Sequence, residues 1–134
     1  MDKINGIALD QFGATLLAGY LEALMAPTSL KAFIENDDKT QNGTQVLVTD
    51  ARLAERDVTL SFLLQGNSTA EFTARYTAFL QELYKGQITL YVEALDLTFR
   101  LIYSNTTQFN NYQLHACKLA VKFREPNPAD RTNE

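Results

Sequence analysis

The chain contains one cysteine, Cys117, and one histidine, His115. One cysteine cannot form an intramolecular disulfide, which suits a reducing compartment. A zinc site usually takes three or four ligands of the Cys/His kind, more than are present. A Cys–His nucleophile pair needs its side chains in hydrogen-bond contact, which next-but-one neighbours on a strand rarely achieve. Both residues therefore read as structural, sharing one face of a strand. No apolar run approaches the roughly 18–20 residues that span a bilayer. The N-terminal residues Met1 to Gly6 lack the apolar core of a signal peptide. The expectation is a soluble cytoplasmic protein with no membrane partner. There is no run of basic residues, and the net charge is −4, so the surface is not built to grip nucleic-acid phosphates. Gly6, Gly13 and Gly19 have the wrong spacing and context for a phosphate loop. Asp50, Glu55 and Asp57 flank strands, and no acidic residue falls inside a predicted apolar face, where burial would tune it for catalysis. The aromatic residues Tyr76, Tyr84, Tyr91, Phe99, Tyr103, Phe109 and Tyr112 are not interleaved with basic ones, so they read as packing rather than as a base-stacking platform. No catalytic, cofactor or metal site is expected, and a binding or structural role gains weight.

What is present is an ordinary core. The 134 residues are 46% apolar and 21% charged, which fits one globular domain. It is expected over residues 1–124. The tail 125–134 holds Pro126 and Pro128 and almost nothing apolar, so it reads as extended or disordered. The clearest element is a helix from Ser68 to Lys85. Ser68 and Glu71 form a capping box. Phe72, Tyr76, Phe79, Leu80 and Leu83 recur at helical spacing. Glu71 and Arg75 make a favourable pair one turn apart, and Gly86 can close the helix in the left-handed conformation.

Around that helix the pattern alternates. Val58, Leu60, Phe62 and Leu64 share one face of a strand spanning Asp57 to Leu64. Gln87 to Glu93 and Leu97 to Ser104 form a hairpin across Ala94-Leu95-Asp96. Upstream, Thr28 to Asn36 and Gln45 to Thr49 read as strands. Between them runs the polar loop Asn36 to Thr44, longer than a usual hairpin connection and ending in Asn42-Gly43. Asn105 to Asn111 reads as polar and irregular. Three triplets, beginning at Asn42, Asn67 and Asn105, have the form of glycosylation acceptors but read as polar turns. In the last strand, Tyr112 to Arg124, the apolar residues switch from even to odd positions, which predicts a bulge or a sharp bend near Ala116 to Lys118. Asp10 to Ala26 is ambiguous. Gly13 and Gly19 weaken a helical stripe, and an extended piece over Phe12 to Leu17 followed by a helix over Ala18 to Met25 is the compromise. The expected fold is α+β, mainly β: an antiparallel sandwich or open barrel with one flanking helix. A ferredoxin-like two-layer fold is the alternative if Asp10 to Ala26 is a full second helix.

The stretch Asp57 to Pro128 resembles bacteriophage tail proteins of the distal-tail and tail-tube kind, and their relatives in phage-derived injection systems. The resemblance is carried by the run from Arg56 through Leu64 to Gln65-Gly66-Asn67-Ser68, leading into the single helix. It continues through Glu71-Phe72, Phe79-Leu80, the Gly86 stop, Phe99-Arg100-Leu101-Ile102-Tyr103 and the ending Lys122-Phe123-Arg124-Glu125-Pro126-Asn127-Pro128. It implies a non-enzymatic structural subunit of a phage or prophage tail, assembled as a homo-oligomeric ring in which sheets of adjacent subunits join around a channel. Its partners would be other tail proteins, and its place the virion once assembled. By position, Asn36, Asp37, Asp38, Lys39, Asn42 and Gly43 would form a subunit-contact loop. The sequence lacks the second domain that carries carbohydrate binding in larger distal-tail proteins, which favours a ring or connector role. Phe33, Leu63 and Phe109 break polar surfaces and are candidates either for subunit contact or for satellite packing within the domain. A small ligand-binding domain enclosing a pocket between helix and sheet is the competing reading.

Overall fold

The fold is set by a short reach of chain. In the computed structural model, described for residues 1–30, 34–36, 45–47, 53–112 and 115–133, the first strands are β1 (Lys3–Ile4) and β2 (Ile7–Ala8). A 3-10 helix (Leu9–Phe12) then leads to β3 (Ala14–Leu16). These belong to one antiparallel sheet with β6 (Arg56–Gln65), β7 (Gln87–Val92), β8 (Leu97–Tyr112) and β9 (Ala116–Glu125), in the order β2-β1-β7-β8-β9-β6-β3. Thus β2 and β3 are the two ends of the sheet. Laid flat, six gaps of about 4.8 Å would separate them by about 29 Å. The link from Ala8 to Ala14 reaches about 20 Å even fully extended, and its 3-10 turns shorten it further. The sheet must therefore curl, and it forms an open barrel.

The open side is filled by helix α2 (Thr69–Leu83). Ser68 caps it, its side chain accepting from the Glu71 N–H at 3.1 Å. Glu71 pairs with Arg75 at 2.7 Å, and Gly86 beyond the end has φ +86°. Phe79 and Leu83 are fully buried, while Phe72, Tyr76 and Leu80 pack partly buried against the core. The Phe79 ring meets Phe12 at 5.7 Å and Phe62 at 5.2 Å, both edge-on. One helix side chain thus ties the link between the sheet ends to the middle of β6. In β6, Val58, Leu60, Phe62 and Leu64 are all buried, as their alternation predicts.

The ambiguous stretch resolves into the 3-10 helix, β3 and a second helix, α1 (Tyr20–Met25). This is the expected compromise of an extended piece followed by a short helix; it sets aside the ferredoxin-like alternative and places α1 beside the one flanking helix of the expected fold. Gly13 has φ +61°, and a Cβ there would lie 2.1 Å from the Gln65 carbonyl oxygen. Only glycine fits both the turn and that close approach.

Two expectations are corrected. Asn105 to Asn111 is not irregular but continues β8, pairing with β9 from Tyr103↔Phe123 to Tyr112↔Ala116, with register shifts between Tyr103 and Asn105 and between Thr106 and Gln108. Without it, one side of β9's backbone would lack partners, which a sheet interior does not tolerate. The Asn105 triplet is accordingly strand, not turn, and Phe109 lies in β8. The switch from even to odd positions is no bulge near Ala116. Tyr112 ends β8, His115 lies in a turn, and β9 pairs with β6 in unbroken register from Ala116 to Glu125. The irregularities fall on β8 instead. In the stretch after Arg124, expected to be extended or disordered, Glu125 is fully buried at the end of β9, and the extended β10 (Arg131–Thr132) pairs with Phe99 and Thr98 of β8.

Separately, β4 (Ile34–Asn36) pairs antiparallel with β5 (Gln45–Leu47). Of the expected contact loop, Asn36 ends β4, while Asp37, Asp38, Lys39, Asn42 and Gly43 lie outside the described residues, as does Phe33.

Truncating the side chain that joins helix, link and sheet should cost most. Phe79→Ala is expected to lose about 3–5 kcal/mol of stability, read as a lowered denaturation midpoint with an unchanged slope.

Candidate functional site: a sheet layer with two open edges

Where the four strands β3, β6, β9 and β8 lie side by side, their registers form three straight rungs. These are Ala14–Leu64–Cys117–Asn111, Thr15–Leu63–Lys118–Asn110 and Leu16–Phe62–Leu119–Phe109. Alternation sends the first and third rungs to the core and the second outward, except that Asn111, where the first rung reaches the β8 edge, is exposed. On the third rung Leu16, Phe62 and Leu119 are buried, but Phe109 at the edge is 50% exposed. The apolar row thus runs to the margin of the sheet and stops uncovered. Phe109 touches Tyr76 of α2 (5.9 Å between ring centroids), which stacks on Phe72 at 5.9 Å. Tyr112, also 50% exposed, ends the same strand.

Both margins of this layer lack a neighbouring strand among the described residues. The β7 ladder on β8 stops at Ile102, so residues 104–112 of β8 pair only with β9. At the other side β3 is the end of the sheet. Neither margin carries a charge: residues 101–112 and 11–21 contain no Asp, Glu, Lys or Arg. Edge strands are usually blunted by charge, proline or bulges. The two shifts in β8 lie toward its inner end, and residues 108–112 keep regular register.

At the opposite end of the sheet lies a charged cluster that the sequence did not reveal. Glu125 is 0% exposed. Arg56 donates to it from Nε at 2.6 Å, and Arg131 grips it from Nε at 2.9 Å and a terminal nitrogen at 2.8 Å. The Arg131 guanidinium also lies over the Phe99 ring, 4.9 Å from its centroid. Burial alone would push the Glu125 carboxyl up. The hydrogen bonds and charges of Arg131 and Arg56 outweigh that and hold it below its ordinary 4.5. The signal was present: Cys117, Leu119, Val121 and Phe123 put the odd positions inside, and 125 continues the series.

His115 and Cys117 do not share a face. His115 is exposed in the turn, whereas Cys117 is buried in the core rung. Burial pushes the Cys117 thiol up to about 11, so at neutral pH it is not a thiolate. Among the described residues no three His, Cys, Asp or Glu side chains converge. A groove of about 410 Å³ beside β7 and β8 carries one charged side chain, Arg100, and that is held by Asp130 at 3.3 Å. No helix among the described residues is long and apolar enough to cross a membrane.

No family model and no curated protein matches the sequence. Among solved structures, the fold is similar to that of the Dit protein of phage SPP1, described as a paradigm of the hub adsorption apparatus in phages infecting Gram-positive bacteria. The TM-score is 0.60 at 13% identity, over 95% of this chain and 49% of that one. The chain therefore spans about half the length of that protein. At this identity the likeness is one of fold.

Two measurements check the chemistry. A carboxyl held low in the folded chain adds stability above its unfolded value, and that stability is lost as pH falls through the lowered native value. The unfolding midpoint should therefore drop on acidification below about pH 5, and Glu125→Gln should be less stable at neutral pH with a shallower acid limb. Cys117 should resist a thiol reagent in the native chain and react fully once the chain is unfolded.

Proposed function

We propose that this chain is a non-enzymatic structural subunit of a phage or prophage tail, a ring, tube or connector component that assembles through its sheet edges. The observation that carries this reading is the pair of uncharged edges, unpaired among the described residues, on one four-stranded layer. Successive strands alternate in direction, so with four of them the β8 edge runs opposite to the β3 edge. A second copy turned about an axis along the strands sets its β3 against β8 in antiparallel sense, and the ladder continues unbroken. Such a joint uses two different patches, and it closes into a ring when the rotation closes. It also covers Phe109, the uncovered end of the apolar rung. The fold likeness to a phage hub protein supports the same place for this chain, in contact with other tail proteins and in the virion when assembled. The subunit-contact role of Asn36, Asp37, Asp38, Lys39, Asn42 and Gly43 belongs to this proposal.

Light scattering on the eluting protein over a range of concentrations tests it. The wild-type chain is expected to form a discrete multimer. Thr15→Lys and Asn111→Lys, each placing a charge at one exposed edge position, should leave a monomer with stability within about 0.5 kcal/mol of wild type. A wild-type chain that stays monomeric at every concentration would count against self-assembly. Multimers untouched by either lysine would count against these edges.

A further inference from the structure

We propose that Glu125 is a positioning residue that couples the docked C-terminal strand to the base of the β4–β5 arm. On one side of the carboxylate, Arg131 is its two-pronged partner. That residue belongs to β10, which rests on β8 through two pairs only, Arg131↔Phe99 and Thr132↔Thr98. The strand is also tied down by Arg100, which reaches Asp130 and Thr132 at 3.3 Å each. On the other side, Arg56 does more than neutralise the acid. Its terminal nitrogens donate to the carbonyls of Leu24 at 2.7 Å, Ala26 at 2.5 Å and Ala23 at 3.3 Å. These are carbonyls at the end of α1 that have no helical partner of their own. The chain leaving that helix end, from Pro27 to Leu30, leads in sequence to β4, and the stretch from Leu53 leads in sequence from β5; together they form the root of the arm. Thr28 Oγ1 donates to the Ala54 carbonyl at 2.9 Å, the Ala54 N–H donates to the Ser29 carbonyl at 2.8 Å, and Leu30 bridges Leu53. The second of these stretches, through Ala54, runs straight into Arg56.

One buried carboxylate therefore stands between two guanidiniums, one anchoring the last strand and the other anchoring the arm's root. If Arg131 is withdrawn, Glu125 loses its two-pronged partner and is free to turn toward Arg56 alone. If Glu125 is withdrawn, the two like charges face each other in a site that excludes water. Either change shifts Arg56, and with it the carbonyls that hold Ala23 to Ala26 in place. Capture of the C-terminal strand by a neighbour is thus felt at the root of the arm, through residues of one chain alone.

Hydrogen exchange read by mass spectrometry on the full chain tests the coupling, since it resolves local opening segment by segment. Arg131→Ala should speed exchange at residues 23–30 and 53–56 by roughly five- to a hundredfold, the usual span of coupling between sites, while residues 88–92 of β7 stay protected. Arg131→Lys keeps the charge but not the two-pronged bond, and should fall between the two. Asp130→Ala loosens the same strand without touching Glu125 and should leave residues 23–30 and 53–56 at wild-type rates. The proposal is overturned if Arg131→Ala loosens only the last residues, if exchange rises evenly across the sheet, or if Asp130→Ala has the same effect on the arm's root.

Discussion

The distance a few residues can reach governs this fold. Both ends of the seven-strand path are tied to one 3-10 turn, so no flat sheet is open to the chain. Curling follows from that tether and from the twist strands carry anyway. Gly13 is where the tether is tightest. Its positive φ, and the Gln65 carbonyl pressed where a side chain would begin, bring β3 onto β6 immediately after the turn. A curled sheet leaves one mouth open, and α2 fills it, with Phe79 wedged between Phe12 and Phe62. Tether, curl and plug are one arrangement: loosening the first removes the cavity that the helix was shaped to fill.

The same geometry explains why the edges are where they are. The outer half of β8 extends past the end of β7, because β7 begins only at Gln87, after the helix has finished. β9 and β6 continue alongside that half and give it a hydrogen-bonding partner on one side alone. A sixteen-residue strand that pairs with β7 and β10 along its first half and with β9 along its second leaves an edge that no other described strand covers. The shifts of register come where β8 passes from one partner regime to the other, near Ser104 and Thr107. Below them the strand is regular, uncharged and flanked by aromatic rings. That combination favours a partner on both counts, backbone groups ready to pair and exposed apolar surface.

The parts legible in the sequence were those fixed by nearby residues. The helix was readable because its cap, stripe and stop all lie within one stretch, from Ser68 to Gly86. β6 was readable because one of its faces is fully buried in the core, which enforces strict alternation. The outer half of β8 was not, since the run from Ser104 to Asn111 is polar apart from Phe109. Its strand character comes from β9, a partner beyond the turn. A strand with one wet face and one free edge can be built from asparagine, threonine and glutamine, and local propensity reads those as loop. The supposed bulge near Ala116 failed for a related reason. A change of face between two strands looks identical, in one dimension, to a change of face within one.

Glu125 was missed differently. Its position continues the alternation, but the prolines that follow end the expected strand at Arg124 and assign Glu125 to the tail. Burial of a carboxylate is tolerable only where hydrogen bonds and opposite charge replace water. Here the replacements come from Arg56, sixty-nine residues earlier, and Arg131, six residues later. An apolar side chain of similar size could fill the space with no such demands, and buried ion pairs often contribute little net stability against that alternative. What an apolar group could not do is discriminate. A carboxylate accepts the guanidinium of Arg131 in one orientation, with Phe99 beneath it, and so fixes the register of a strand only two residues long. Two ladder pairs would not hold such a strand against fraying. The cluster therefore acts on arrangement more than on stability, setting the last strand and the end of α1 against one shared charge.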